Sequence, residues 1–273
     1  MNELLIEGLA GVGVGLCLGL LGAGGSILLV PIIDYLLGDS AKAAIVQALA
    51  VVFLIAAFAG GNAAIRRLVD WRAVLFVGLP GMVGSWLGSR LGADLHEPIQ
   101  MTIFGLIMGL AAWRILVTRP KPDGPSTSGL PKVMATGLAV GTLTGLIGVG
   151  GGFLIVPALT LVLGIPMHRA IGTSLLLIAA HAAIAFAGHW SDLDPAIEAE
   201  IQSHTVLILG TFGIAGSLFG SSLSKRLDQA TLRKIFGWFL VVVATIVLID
   251  YASELISPKA DATAPFSAAS SSS

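Results

Sequence analysis

Two glycine clusters are the residues in this sequence whose types and spacing could do chemistry. Gly22-Ala23-Gly24-Gly25-Ser26 and Gly148-Val149-Gly150-Gly151-Gly152 each stand inside a long apolar run, and a proline, Pro31 or Pro157, follows soon after. Glycine and proline break helices. Each cluster therefore predicts an unwound turn that opens a short second helix. The first N–H groups of that helix have no intrahelical partner and, with the helix dipole, favour an anion. Glycines also let a ligand approach the backbone closely. Two such turns facing each other would cradle an oxyanion without a buried Lys or Arg. The plainer reading, that the glycines serve tight helix packing, has comparable weight on the clusters alone.

Other candidates rank second. Gln47, its repeat counterpart Thr173, and Ser174 beside it sit about one turn into their helices and could face the turns, or simply pack. His181 lies deep in an apolar segment, where an ionisable side chain is a functional candidate. Asp34 reads as an interfacial carboxylate and Cys17 as a packing residue. No catalytic set is expected. His96, His168, His181, His189 and His204 lack metal-ligand spacing with a carboxylate or cysteine, and with one cysteine there is no thiolate cluster. Neither cluster is followed by Gly-Lys-Ser/Thr, so neither is a P-loop. The expectation is a protein that is not an enzyme, with no cofactor, no metal and no nucleic-acid partner.

The elements that must position these residues are membrane helices. Of 273 residues, 55% are hydrophobic and 11% charged, against roughly 25% charged in a soluble domain. The mean hydropathy is +0.93. Segments 43–65, 73–91, 98–118, 167–188, 203–223 and 231–255 are long enough to span a bilayer. The apolar runs 4–37 and 132–164, which hold the clusters, are too long for one crossing and read as two short helices each. Gly11, Gly15 and Gly19, like Gly84 with Gly88 and Gly216 with Gly220, recur every fourth residue, the spacing of close helix packing. Trp71, Trp113, Trp190 and Trp238 read as interfacial anchors, and Trp86 as a deeper packing residue. Met1 to Gly8 carries no Lys or Arg, so a signal peptide is not expected.

The chain repeats. Gly19-Leu-Leu-Gly22-Ala-Gly24-Gly25-Ser-Ile-Leu-Leu-Val-Pro31 aligns with Gly145-Leu-Ile-Gly148-Val-Gly150-Gly151-Gly-Phe-Leu-Ile-Val-Pro157 at an offset of 126. Gly81-Met-Val-Gly84-Ser85-Trp-Leu-Gly88-Ser89 aligns with Gly213-Ile-Ala-Gly216-Ser217-Leu-Phe-Gly220-Ser221 at 132. The reading is a repeat over 1–118, a linker over 119–131, a second repeat over 132–256 and a disordered tail over 257–273. Charge then separates two topologies. If all eight elements cross, Lys and Arg divide eight to seven between the sides. If the two broken elements are re-entrant hairpins, the division is twelve to three, with Lys42, Arg90 and Lys259 alone outside. The positive-inside rule selects the second. The expected fold is an all-α integral membrane protein of two inverted repeats, each a re-entrant, broken helix hairpin plus three transmembrane helices. Both termini and the acidic stretch 191–204 are expected outside.

The doubled motif G-L-x-G-x-G-G-x-x-x-x-V-P resembles the signature of the sulfite exporter TauE/SafE family, over residues 4–255. That resemblance implies a permease of a bacterial inner membrane, exporting or taking up a small sulfur-containing anion such as sulfite, sulfoacetate or another organosulfonate. Ser26, where the second copy has Gly152, departs from strict repetition and leaves the substrate open. The site it would use is Gly22, Ala23, Gly24, Gly25 and Ser26 with Gly148, Val149, Gly150, Gly151 and Gly152, flanked by Gln47, Thr173, Ser174 and His181, at the midplane between the two breaks. The partners expected are the anion and the lipid bilayer, with a homodimer left open. An anion channel and a membrane assembly protein without transport activity stand as the alternatives.

Overall fold

The computed structural model describes residues 2–23, 25, 29, 33, 41–92, 97–117, 129–147, 152–191, 201 and 203–256. These residues are almost wholly helical. In chain order the helices are α1 Asn2–Leu21, α2 Ala41–Ile65, α3 Trp71–Gly92, α4 Glu97–Val117, α5 Leu130–Ile147, α6 Gly152–Pro157, α7 Met167–Ser191, α8 Ser203–Arg226 and α9 Gln229–Ile256. After α6 the chain continues as a π turn, Ala158–Val162, and leaves it at Gly164, whose φ is +71°. Four stretches are long and apolar enough to cross a membrane: Ala43–Ile65, Met167–Ala187, Ser203–Arg226 and Gln229–Ile249. Large apolar side chains such as Leu9, Ile65, Leu79 and Val117 stand exposed around the outside of the bundle, which suits lipid and not water.

The helices pack by repeat position. α1 lies against α8 and α5 against α3, while α2 packs on α7 and α4 on α9. Exchanging the two repeats turns this set of contacts into itself. The first two seams are built of glycine. A methyl at Gly15 would overlap the backbone of Gly213, and one at Gly19 that of Ser217. One repeat on, a methyl at Gly141 would overlap Gly81, and one at Gly137 would overlap Val77. In lipid there is little hydrophobic drive between helices, so this close approach is what joins them.

The contacts also fix running directions. Position rises together along α1 and α8, since Gly11, Gly15 and Gly19 meet Leu209, Gly213 and Ser217 in turn. α3 and α5 run parallel in the same way, with Gly81 and Gly88 meeting Gly137 and Leu146. α4 and α9 run antiparallel, with Gly105 beside Leu248 and Gly237 beside Leu116. α2 and α7 are antiparallel too, with Gly60 beside Leu176 and Gly172 beside Ala63. One end of the bundle thus gathers Arg66, Arg67, Arg72, Arg114, Lys132, Arg169, Lys225, Arg226, Arg233 and Lys234. Among the described residues the other end holds Lys42 and Arg90.

Two expectations need correction. The first limbs of the broken elements are not short. α1 has 20 residues and α5 has 18, about 30 and 27 Å at 1.5 Å per residue. Trp86 is not a packing residue: it is 55% exposed and the Arg90 guanidinium lies over its ring at 4.2 Å, an outward cation–π pair. The stretch 192–200, the linker residues 118–128 and the tail 257–273 lie outside the described residues.

The seams make a measurable claim. Gly15→Leu or Gly141→Leu should force the helices apart and destabilise by about 3 kcal/mol or more. Gly109→Ala, where nothing lies within 4 Å of the new methyl, should change stability by less than about 1 kcal/mol. Thermal melting of the detergent-purified variants tells the two apart.

Candidate functional site

The break predicted at the first cluster is present. α1 ends at Leu21, and Gly22 takes φ +66°, donating its N–H to the Leu18 carbonyl at 2.8 Å. Only glycine adopts that backbone routinely. Beyond it Gly25 lies against Leu18 and the Val14 carbonyl, so the chain doubles back along α1. Gly22 and Ala23 are buried, Ala23 fully. The Ser174 hydroxyl, from the other repeat, lies 2.7 Å from the Gly22 carbonyl and 2.8 Å from that of Ile171. One proton serves two acceptors, one of which belongs to the break.

Thr173 is committed elsewhere. Its hydroxyl donates to Arg169 at 2.7 Å and accepts the Asp70 N–H at 2.9 Å, fixing the turn between α2 and α3. That accounts for its burial without a ligand. Gln47, 1% exposed, is not brought near it. Thr173 faces the turn after Ile65, whereas Gln47 lies 18 residues before Ile65 on α2, about 27 Å away along the helix. The repeat relates these residues but the fold separates them to opposite ends.

The helices that lead into the two clusters end at different levels. Gly22 sits beside Ile171 and Ser174, level with the start of α3, while α5 ends where Leu146 meets Gly88, near the end of α3. From Trp71 to Gly88 is 17 residues of helix, about 25 Å. The two helices that lead into the breaks stop at opposite ends of the bundle, so their ends do not meet at one level. Gly152 is buried; Gly24, Ser26, Gly148, Val149, Gly150, Gly151 and Asp34 lie outside the described residues.

At mid-depth stands His181. It faces Gly81, as Ile55 faces Gly213 one repeat away. It borders a cavity of about 240 Å³ with Met82, Ser85, Trp86, Ile184 and Ala185, and its buried Nε2 has no hydrogen-bond partner among the described residues. Sequence reasoning passed over a second asymmetric group. Glu7 is 7% exposed and accepts the Thr205 hydroxyl at 3.3 Å. Its counterpart is Val133, and that of Thr205 is Ala73. Comparing the repeats position by position is the signal that finds it.

With this geometry in place, comparison with known proteins decides the family. Residues 8–247 match the family model described as Sulfite exporter TauE/SafE. The chain belongs to the TauE/SafE family. Two probable membrane transporter proteins of Xylella fastidiosa are similar to it over 86% of this chain and 91% of theirs, at 32% identity in strain Temecula1 and 34% in strain 9a5c. A probable membrane transporter protein of Haemophilus influenzae is 28% identical over 86% of this chain and 94% of its own. This TauE/SafE protein is therefore a probable membrane transporter, in keeping with the four described stretches long and apolar enough to cross a membrane. Among the described residues, no group of three or more His, Cys, Asp or Glu could hold a metal ion.

The break yields a graded expectation. Ser174→Ala removes one hydrogen bond and should cost about 1 kcal/mol of stability. Gly22→Ala should cost more, because a methyl there meets Ser174 Oγ at 2.6 Å and the Ile171 backbone at 2.8 Å and the φ adds about 1–2 kcal/mol. In the double variant the methyl no longer meets the hydroxyl, so the two costs should sum to less than their parts in the melting measurement.

Proposed function

We propose that this TauE/SafE protein exports a small sulfur-containing anion, such as sulfite or an organosulfonate, across a bacterial inner membrane. The observation that carries the reading is the buried break at Gly22. Unwound backbone within a membrane protein is tolerated where it is packed in protein or lines a wet cavity, and a chain that doubles back from such a break is a recurrent transporter element. The family description supplies the sulfur anion. In this reading the breaks serve one face each, and the anion passes His181 between them.

The repeats are read as inverted. Every helix of the second repeat runs opposite to its counterpart: α1 with α8 and against α9, α5 with α3 and against α2. The basic end, with ten described Lys and Arg, is then cytoplasmic, and both termini lie outside. Because the seams cross between repeats, alternating access follows as a rocking of two bodies that each draw helices from both repeats, one holding α1 with α8 and the other α3 with α5.

Reconstituted protein should show saturable uptake of labelled sulfite, accelerated by sulfite on the far side of the membrane. Flux that rises linearly with concentration and ignores the far side would point to a channel. No flux of sulfite, sulfoacetate or thiosulfate would overturn the substrate class. Orientation has its own check in a Cys17→Ala background. A membrane-impermeant maleimide added to intact cells should label Glu198→Cys and leave Lys132→Cys unlabelled; the reverse pattern would falsify the topology.

A further inference from the structure

A second polar site lies at the basic end, outside the glycine clusters. A cavity of about 30 Å³ opens between α1, α2, α7 and α8, lined among others by Arg66, His168, Ser221, Ser224 and Lys225, with Gly19 of α1 at its floor. A water needs about 10–15 Å³ of such space. This cavity therefore suits a few waters or one small solute, and not a bulky aromatic sulfonate.

Among the described residues no carboxylate lines it. Two cationic side chains and a histidine line one small space. The carboxylates described at this end are Asp70 and Asp228, and both are occupied with helix starts. Asp70 accepts the Ala73 N–H at 3.0 Å and the Val74 N–H on its own carbonyl at 3.0 Å, capping α3. Asp228 opens α9 and takes the Thr231 hydroxyl, which holds its carboxyl below the usual range. Neither lines the cavity.

Arg66 is also held in position. Arg66 follows the last turn of α2, which closes with Leu68 N–H on the Ala63 carbonyl and Arg67 N–H on that of Ala64. Arg67 takes the left-handed position at φ 57°, where glycine is usual. The Arg66 Nε donates to Asn62 Oδ1 at 2.8 Å. One of five guanidinium donors is thus used in aiming the group, and four remain. His168 Nε2 lies 3.0 Å from the Ser224 carbonyl and so carries the proton there. The Ser221 and Ser224 hydroxyls donate back to their own helix, to Leu218 and Ser221, and add polarity without competing for the cations.

We propose that Arg66 and Lys225, with His168 lining the wall, form a binding site for a small inorganic oxyanion at the basic end of the bundle, next to the Gly22 break. The site needs the charge of both cations and the planar donor fork of Arg66. It rests on the transport reading only for which oxyanion it takes. Ile171 lines the cavity and also packs against Gly22, so the site and the break share a wall.

The test is direct binding of sulfate and of freshly prepared sulfite to the full chain, by calorimetry in phosphatidylcholine nanodiscs. Arg66→Gln and Lys225→Gln should each weaken binding about tenfold or more, and Arg66→Lys should restore only part of it. Arg72→Gln, a cation at the same end outside the cavity, should change binding less than about twofold. Melting temperature in the absence of anion monitors folding of each variant. Wild-type affinity in both Arg66→Gln and Lys225→Gln overturns the site. Loss of wild-type sulfate binding when phosphatidylglycerol is added, with that lipid retained on purification by wild type and not by the two Gln variants, overturns a soluble occupant in favour of a lipid phosphate. If the variants lose sulfate binding but wild type carries no sulfur anion in liposomes, the site stands and the transport reading falls.

Discussion

Backbone contact across the two glycine seams is the constraint on which the rest of the bundle depends. Gly15 against Gly213 and Gly141 against Gly81 leave no room for a single carbon. Because each seam joins the first helix of one repeat to the third of the other, neither repeat closes on itself. α1 finds its partner about two hundred positions along the sequence, and α5 reaches back for its own. In a solvent as apolar as leucine this is what selects the partner. Tight van der Waals contact and short distances between peptide groups distinguish α8 from the other greasy helices on offer. The seam also sets level and direction, since Gly11, Gly15 and Gly19 meet Leu209, Gly213 and Ser217 in one parallel register.

Most of the fold was legible because it follows from composition and repetition. Long apolar runs dictate spanning helices, and matching Gly19-to-Pro31 with Gly145-to-Pro157 gives the two halves. The small-residue spacing foretold the seams, though not that they cross between repeats. Pairing is a property of two surfaces, and one sequence shows each surface alone. The same limit holds for level. The motif places a glycine cluster in each repeat, but α1 stops near Ser217 and α5 near Gly88, at different ends of the bundle. Thr173 and Gln47, equivalent by alignment, therefore separate to the two ends. Trp86 was misread for a related reason. Mid-segment position suggests burial, but the face of the helix decides, and Arg90 draws the indole outward.

The departures from repetition are more telling about chemistry than the repeat itself. At the contact of α1 with α8 the fold accepts Glu7 and Thr205, and at the matching contact of α5 with α3 it accepts Val133 and Ala73, all buried. An apolar pair satisfies that packing position, so nothing in the packing calls for the carboxylate. His181 against Gly81 and Ile55 against Gly213 make the same contrast at mid-depth. By comparison Ser217, Thr144 and Thr136 are buried but donate to carbonyls three or four residues back in their own helices. That self-satisfaction lets a small polar residue sit in a membrane helix at little cost, and it marks them as packing.

The hydroxyl of Ser174 ties the local break to the global arrangement. Gly22 belongs to the first repeat and Ser174 to the second, and their 2.7 Å contact is the described hydrogen bond by which one repeat holds the unwound backbone of the other. Ser174 also lies within reach of the Ile171 carbonyl at 2.8 Å. Its proton can therefore leave the break without being stranded, which keeps the buried hydroxyl from bearing the full cost of an unmade bond. Any displacement of α7 against α1 must exchange the first acceptor for the second. Such an exchange frees the Gly22 carbonyl while the helix geometry of α7 stays intact. The break is thus held by a bond whose loss is compensated on one side only, and the backbone left unpaired is the one beside the basic cavity.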